Sequence, residues 1–316
     1  MPMPLRFTLR QLEYLVAVGE CGSIAVASER VNVSSPSISS AIAHLEQEFG
    51  LHLFVRRHAQ GLSLTGAGKQ VFDSAKAVLA QAAQLHDLAG SITQTIRGPL
   101  NVGCLITFAQ IILPQLRRSF VDQNPQVTFH QFDRNQSELF DGLRSAALDA
   151  ALGYDLDIPG DLTFAPLVSL PPYAVLAADH PLAQKATVTL QELVDHPMVL
   201  LDLPLSADYF LSCFSSLGLK PRIVERTRDM GVMQSLVGQG FGYSIANIRP
   251  WSDRAPDGKP LCFVPISGAV RPMKLGLILT AGAQSSLTVR AFVAHCLDQL
   301  TPEKVQGLPP RRFVKD

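Results

Sequence analysis

The chain has 316 residues and a mass of 34.2 kDa, and 47% of its residues are hydrophobic while 17% are charged. This composition supports ordinary folded cores and excludes a globally disordered chain, and the length predicts two or three domains of roughly 100–200 residues each. Lys and Arg together equal Asp and Glu at 27 each, so the net charge gives no sign of nucleic-acid, membrane or acidic-substrate binding.

The N-terminal segment and two 19-residue uncharged windows predict neither a secretory leader nor a membrane span. The first six residues lack an apolar core followed by a cleavage site. The windows 98–116 and 230–248 are interrupted by Pro, Gln or Gly, which favours buried α/β core. The five cysteines are scattered without a CxxC pair, which argues against a disulfide framework or a zinc knuckle and predicts reduced thiols in the cytoplasm.

Residues 1–64 have the pattern of two short helices, a tight turn and a third helix. Thr8 and Gln11 form a capping box at the start of the first helix, and Ser23 can cap the second. Serine before Pro36 predicts the start of the third, because proline in the first turn loses no needed hydrogen bond. This arrangement is typical of a helix-turn-helix, although any small three-helix domain with a hairpin shares it.

The third predicted helix has an apolar face and an outer face of small polar residues. Its apolar residues, spaced 4, 3 and 4 apart, are Ile38, Ile42, Leu45 and Phe49. The residues expected outside are Ser37, Ser40, Ala41, His44 and Gln47. We predict that this helix enters the major groove of DNA, with capping and solubility as the alternative role of its serines. The candidate contacts are Ser34, Ser35, Pro36, Ser37, Ser39, Ser40 and His44.

Two short apolar segments, 51–55 and 61–64, flank a basic tip and predict a two-stranded wing. Arg56 and Arg57 on this wing are expected to meet phosphates or the minor groove. Residues 1–97 carry eight Lys and Arg against seven Asp and Glu, a balance of only +1. Phosphate contacts must therefore rest on a few arginines, backbone N–H groups and helix N-termini.

Residues 65–96 are predicted to form one linker helix opened by Thr65. Its small and apolar residues recur at alternating intervals of four and three, which is a heptad seam three repeats long. They are Val71, Ala75, Val78, Ala82, Leu85, Ala89 and Ile92. This pattern favours dimerisation through a helix pair, and the alternative is a helix packed on its own domain.

Strand and helix signals alternate from residue 97 to 302, which predicts an α/β domain with largely parallel sheets. Thr107 and Gln110 form a second capping box, which predicts a helix running through Phe120. Residues 303–316 are predicted to be a polar tail.

No catalytic or metal motif is complete in the sequence. Gln70 stands where a Walker A loop needs Ser or Thr, Tyr243 replaces the last glycine of a dinucleotide fingerprint, and Ala246 breaks the GxSxG pattern. The eight histidines include no pair at metal-like i, i+3 or i+4 spacing. We therefore predict no enzyme, cofactor or metal. An α/β enzyme and a solute-binding protein remain as weaker alternatives, the second disfavoured by the helix-turn-helix pattern.

The N-terminal pattern resembles the LysR-type transcriptional regulators. The matching residues are Gly22-Ser23, Ala27, Val33-Ser34, Pro36, Ser39, Ile42, Leu45-Glu46, Gly50, Leu53-Phe54, Arg56, Leu64-Thr65 and Gly68. Landmarks of the same family further on are Leu113-Pro114, Asn124-Pro125, Leu148-Asp149-Ala150, His180-Pro181-Leu182 and Gly240-Phe241-Gly242-Tyr243. The resemblance covers about residues 6–300. Ser35 and Ser40 depart from it, because the family usually has Gln and a basic residue there.

The resemblance implies a winged helix-turn-helix joined by a long linker helix to a two-lobed effector domain like the periplasmic binding proteins. Lobe I would take residues 97–168 and 271–302, and lobe II residues 169–270. It also implies a tetramer built from a pair of dimers, control of metabolic genes, and contact with RNA polymerase. No operator sequence transfers, because the base-reading residues differ.

The predicted effector site lies between the lobes, where helix starts follow strands. The three helix-start residues are Thr107, Ser206 and Thr227, and the alternative role of each is to cap its own helix. Phe108, Tyr154 and Tyr209 are the candidate aromatic wall or plain core, and Arg228 is the candidate carboxylate partner. Together they predict a small anionic effector, either a carboxylate or an aromatic or heterocyclic compound.

Overall fold

The computed structural model describes residues 6–57, 61–92, 95–301 and 305, with no side chain described at 56, 57, 61, 80 or 83–92. The predicted tail therefore lies outside the described residues, apart from Val305. The chain divides into two compact units, one made largely of residues 1–93 and the other largely of residues 94–316. Within the described ranges, no helix is both long and apolar enough to span a bilayer.

The first unit contains helices, a hairpin and the long linker helix. Its elements are α1 Leu9–Cys21, α2 Ile24–Arg30, α3 Ser35–Phe49, β1 Phe54–Arg57, β2 Gly61–Leu64 and α4 Gly66–Ile92. The predicted capping box is confirmed, because the Thr8 hydroxyl accepts from the Gln11 N–H at 3.2 Å while Gln11 Oε1 accepts from the Thr8 N–H at 2.8 Å. Gly22 and Gly50, in the left-handed region, end α1 and α3.

The core of this unit is shared by α1, α3 and the start of α4. Leu15, Ile38 and Leu45 are fully buried in it, and Ala75 of α4 is 3% exposed in the same cluster. The first part of the linker helix therefore packs on its own domain through Ala75, which was the alternative to pairing with a second helix. The helix pair stays a prediction for the residues that follow Ala75.

The start of α4 is packed directly on the chain that precedes the hairpin. The Thr65 hydroxyl donates to the His52 carbonyl at 2.7 Å and accepts from the Gly68 N–H at 2.8 Å. A Cβ at Gly68 would lie 2.0 Å from the Leu53 carbonyl oxygen, so only glycine fits without movement. This contact joins the linker helix to the wing.

The second unit has two lobes, each built on its own sheets. Lobe I has a five-stranded sheet in the order β4-β3-β5-β12-β6, formed by β3 Gly98–Leu105, β4 Val127–Arg134, β5 Ala150–Tyr154, β6 Leu162–Leu170 and β12 Met273–Thr280. Lobe II has sheets β10-β7-β11 and β8-β9, formed by β7 Tyr173–Ala177, β8 Pro197–Leu201, β9 Arg222–Thr227, β10 Ser244–Ala246 and β11 Leu261–Pro265. The helices are α5 Ile106–Ala109, α6 Leu113–Gln123, α7 Gln136–Arg144, α8 Leu190–Leu193, α9 Ser206–Ser215, α10 Met230–Gly238 and α11 Leu287–Gln299.

The prediction of largely parallel sheets is wrong. β3 runs parallel to β4 and β5, and β8 parallel to β9, but β12 is antiparallel to β5 and β6, and β7 is antiparallel to β10 and β11. The sequence pattern missed β6 and β11. β6 lies at the edge of its sheet and contains Pro166, a residue that edge strands tolerate and that weakens the strand signal.

The chain passes between the lobes twice, after β6 and before β12. At the first passage the Asn247 side-chain amide donates to the Leu170 carbonyl at 2.7 Å. At the second, the Tyr209 hydroxyl donates to the Arg271 carbonyl at 2.5 Å. The Arg271 guanidinium in turn contacts the Asp155 carboxylate of lobe I at 2.7 Å. Side chains of lobe II thus hold both connections.

Candidate functional site

Helix α3 presents most of the predicted DNA contacts to solvent. The exposed candidates are Ser34, Pro36, Ser37, Ser39 and Ser40, whereas Ser35 and His44 are half-buried. Ala41 was expected on this outer face, but it is only 7% exposed. It lies beside Ile42 at the edge of the apolar stripe, but outside the core cluster that contains Ile38, Ile42 and Leu45, and it lines a groove between α3 and α1.

The serines at the start of α3 hydrogen-bond within the protein. The Ser35 hydroxyl donates to the Ser28 hydroxyl of α2 at 3.0 Å, and the Ser34 and Ser37 hydroxyls lie 2.8 Å apart. None of the described hydrogen bonds is a side-chain cap from Ser34 to α3. Ser35 therefore fixes α3 against α2, while Ser39 and Ser40 remain available on the outer surface.

A groove beside α3 adds residues that the sequence pattern missed. Its volume is about 340 Å³, and it is lined by Thr8, Arg10, Gln11, Tyr14, Ser37, Ser40, Ala41 and His44. The Arg10 Nε donates to the Tyr14 hydroxyl at 2.9 Å, and the Gln11 amide lies 3.3 Å from His44 Nδ1. The i, i+4 spacing of Arg10 and Tyr14 on α1 is the signal that could have indicated this shared face.

The hairpin pairs as expected for a wing. Phe54 is opposite Leu64 and Arg57 is opposite Gly61 in an antiparallel ladder. The side chains of Arg56 and Arg57 lie outside what the structure describes, so their contacts stay predictions.

The predicted cap role of Thr107 is wrong. Leu105 takes the cap position of α5, Thr107 lies inside that single turn, and a separate helix carries the apolar run to Gln123. The capping pattern failed because α5 ends after one turn. The Thr107 hydroxyl is instead buried with no hydrogen-bond partner among the described residues.

Two of the aromatic candidates, Phe108 and Tyr154, contact each other. Their rings meet edge to face, with centroids 4.6 Å apart. Burial raises the pKa of Tyr154, Tyr209 raises it further, and the Thr107 hydroxyl lowers it. Tyr154 ends β5 of lobe I, whereas the hydroxyl of Tyr209 contacts the Arg271 carbonyl at the connection before β12.

The other two predicted helix starts also differ from the cap model. Leu205 holds the cap position of α9, and the Ser206 hydroxyl is buried without a partner in the described structure. Asp229 caps α10 by accepting from the Val232 N–H at 2.9 Å. Thr227 ends β9, where its hydroxyl accepts from the Asp229 N–H at 3.2 Å, and Arg228 is exposed.

Further buried polar groups in the second unit were missed by sequence reasoning. Among the described residues, the buried side-chain atoms without a hydrogen-bond partner belong to Thr107, Tyr173, Ser206, Tyr243, Ser244, Asn247 and Arg249. Unpaired buried groups of this kind are rare in folded proteins, so each of these atoms is a candidate to share a hydrogen bond with ordered water or with a bound molecule. Asn247 and Arg249 follow β10 directly, the same end-of-strand position that singled out Thr227.

Two family models match the chain. The bacterial regulatory helix-turn-helix proteins of the lysR family match residues 9–69, and the LysR substrate binding domain matches residues 93–301.

The described residues contain no group of three or more His, Cys, Asp or Glu that could hold a metal ion.

Known LysR regulators are similar to this chain over nearly its whole length. HinK, a LysR family transcriptional regulator from Pseudomonas aeruginosa, is 36% identical, with a TM-score of 0.64 over 93% of this chain and 99% of its own. The transcriptional activator protein LysR of Escherichia coli is 28% identical over 91% of both chains. The structure of full-length CbnR with its target DNA shares the fold, with 24% identity, a TM-score of 0.66 and coverage of 92% and 98%.

These matches place a helix-turn-helix of the lysR type on the first unit and an effector-binding domain on the second. The chain belongs to the LysR family of bacterial DNA-binding transcriptional regulators.

Proposed function

We propose that this regulator binds a two-fold-related DNA site through paired α3 helices and responds to a small carboxylate that enters the cleft between the lobes. The observation that carries the effector half of the proposal is the set of buried hydroxyls without partners, led by Thr107. A buried hydroxyl that lacks a partner costs free energy, which a ligand with a matching polar group recovers. The aromatic pair of Phe108 and Tyr154, whose rings meet edge to face, favours a flat, unsaturated body for that ligand.

The DNA half rests on the exposed surface of α3 and the adjoining hairpin. Ser39 and Ser40 are exposed on α3, and Arg10, which lines the groove beside α3 with Ser40, adds a cation that can meet a phosphate. Two copies pair through α4, where Val78 is 42% exposed and free for a partner helix. The side chains of Leu85, Ala89 and Ile92, which complete that seam, lie outside the described residues.

The proposal also includes assembly into a tetramer, contact with RNA polymerase, control of metabolic genes and a cytoplasmic location. These four properties are proposed for this chain because it belongs to a family of DNA-binding transcriptional regulators.

Replacing Arg57 with alanine tests the wing. If Arg57 neutralises one phosphate, its loss lowers the slope of log affinity against log salt by about 1 and weakens binding to all sequences alike. Fluorescence anisotropy on a random-sequence duplex across a salt series measures this slope. Arg222→Ala, which removes an exposed arginine on β9 of the other unit, is the matched control and should leave the slope unchanged. A wild-type slope for Arg57→Ala would contradict the wing assignment.

Replacing Thr107 with valine tests the cleft. Valine keeps the shape and removes a buried hydroxyl without a partner, so the unliganded chain should gain about 1 kcal/mol in the free energy of unfolding. The same variant should bind 4-fluorobenzoate, a flat carboxylate probe, about tenfold more weakly, because one hydrogen bond is lost. Urea denaturation and calorimetric titration measure the two effects.

Thr128→Val on the exposed side of β4 is the control for that experiment and should change neither quantity. If Thr107→Val binds the probe like the wild type, Thr107 does not belong to the effector site.

A further inference from the structure

A positively charged side chain strengthens the binding of an anion, and two of the predicted helix starts are poorly suited to bind one alone. The N-terminus of α10 already has the Asp229 carboxylate as its cap, and α5 is a single turn. Arg228, the cation predicted from sequence, is exposed beside that cap. Arg249 of the same lobe also carries a positive charge, and part of its side chain is buried.

Arg249 is a cation turned inward at this place. Its side chain is 25% exposed, and one of its terminal nitrogens contacts the Asp253 carboxylate at 2.7 Å. The guanidinium carbon lies 5.0 Å from the centre of the Phe263 ring. The Nε–H is buried and has no partner among the described residues. A guanidinium has five N–H donors, so one carboxylate contact leaves capacity for a second acceptor.

Tyr173 adds a second unpaired donor next to Arg249. Its ring meets the Phe263 ring edge to face with centroids 5.7 Å apart, and its hydroxyl is buried without a partner in the described structure. Burial raises the pKa of Tyr173, Tyr154 raises it further, and Arg249 lowers it. Tyr173 and Arg249 thus both contact the ring of Phe263.

The strand register explains how these groups reach the cleft. Tyr173 begins β7 opposite Ala246, and Arg249 follows three residues later. Ile106, the neighbour of Thr107 in lobe I, packs against the same apolar cluster as Tyr173 and Phe263. This apolar cluster therefore joins the segment of lobe I that carries Thr107 to the strands of lobe II that carry Tyr173 and Phe263.

We propose that Arg249 and Tyr173 bind the carboxylate of the effector, with Phe263 as the flat surface behind both. This assignment rests on the proposed function and specifies which residues read the charge of the ligand. The carboxylate accepts from the Arg249 Nε–H and from the Tyr173 hydroxyl, and it shares the guanidinium with Asp253. The site then selects an acid over its neutral amide, because an amide brings no negative charge to the guanidinium.

Calorimetric titration of the full chain with 4-fluorobenzoate and its neutral counterpart 4-fluorobenzamide tests this assignment. The wild type should bind the acid more tightly than the amide. Arg249→Gln should weaken the acid by about 10- to 100-fold, the range expected for a charge-assisted hydrogen bond, and leave the amide within about twofold. Arg222→Gln removes an exposed arginine on β9 of the same lobe and should leave both ligands unchanged.

Tyr173→Phe provides a second, milder variant, since it removes only a hydroxyl without a partner. It should weaken the acid several-fold while the melting temperature stays at or above that of the wild type. An unchanged preference for the acid in both Arg249→Gln and Tyr173→Phe, with acid binding still lost in Thr107→Val, would overturn the assignment and leave the effector cleft intact. Failure of the wild type to bind either probe would instead overturn the proposed ligand class, and this assignment with it.

Discussion

Alanine in place of Gly68 is expected to unfold the junction between the wing and the linker helix and to abolish DNA binding. The new Cβ would sit 2.0 Å from the Leu53 carbonyl oxygen, and that oxygen also accepts from the Thr65 N–H at 2.9 Å. Leu53 is fully buried, so the backbone must move to relieve the clash. Overpacking of this kind costs about 1–3 kcal/mol and more where backbone is involved. The thermal midpoint and the affinity for duplex DNA measure the loss.

Gly66 provides a matched control two residues earlier in the same turn. A Cβ there meets nothing within 4 Å, and alanine favours a helix over glycine by about 1 kcal/mol. Gly66→Ala should therefore keep or slightly raise the thermal midpoint. Equal behaviour of the two variants would show that the close contact at Gly68 does not constrain the fold.

Leucine in place of Gln136 is expected to destabilise the second unit and to disturb the cleft together. The buried Gln136 amide donates to the Tyr154 carbonyl at 2.7 Å, and its oxygen accepts from the Tyr154 N–H at 3.2 Å. Leucine fills a similar volume but leaves two buried main-chain groups unpaired, at about 1–3 kcal/mol each. Urea denaturation should show a loss of about 2–6 kcal/mol in the free energy of unfolding.

Gln123, exposed at the end of α6, is the control for that change. Gln123→Leu should alter the free energy of unfolding by less than about 0.5 kcal/mol. A comparably small effect of Gln136→Leu would mean that water or a shifted backbone satisfies Tyr154. Weaker binding of 4-fluorobenzoate to a still folded Gln136→Leu would show that Tyr154 depends on this amide for its position.

Local signals in the sequence predicted the first unit well. The capping box of Thr8 and Gln11, the glycine at 22 and the apolar spacing from Ile38 to Leu45 depend on contacts within one or two turns, and the structure has each of them. Ala41 was misplaced because burial at the edge of a stripe depends on what packs against it.

The same type of signal failed at Thr107. Thr107 and Gln110 match the spacing of Thr8 and Gln11, yet Leu105 takes the cap position. The pattern cannot report that tertiary packing limits α5 to one turn.

The buried polar groups of Tyr173 and Asn247 could not be predicted from the sequence for a related reason. Their surroundings depend on how β7 pairs with β10 and β11, and those strands are far apart along the chain. No pattern of nearby residues therefore marks their burial. Sequence reasoning singled out Thr107 and Ser206, whose hydroxyls are buried, but not Tyr173 or Asn247.

The two connections between the lobes share one pair of polar side chains. Asn247 donates to the Leu170 carbonyl, Tyr209 donates to the Arg271 carbonyl, and the Asn247 amide lies 3.4 Å from the Tyr209 hydroxyl. Any rearrangement of the lobes that breaks these bonds costs free energy, and each 1.4 kcal/mol is about a tenfold change in the ratio of two forms. Substitutions at Asn247 or Tyr209 are therefore expected to shift the balance between arrangements of the lobes.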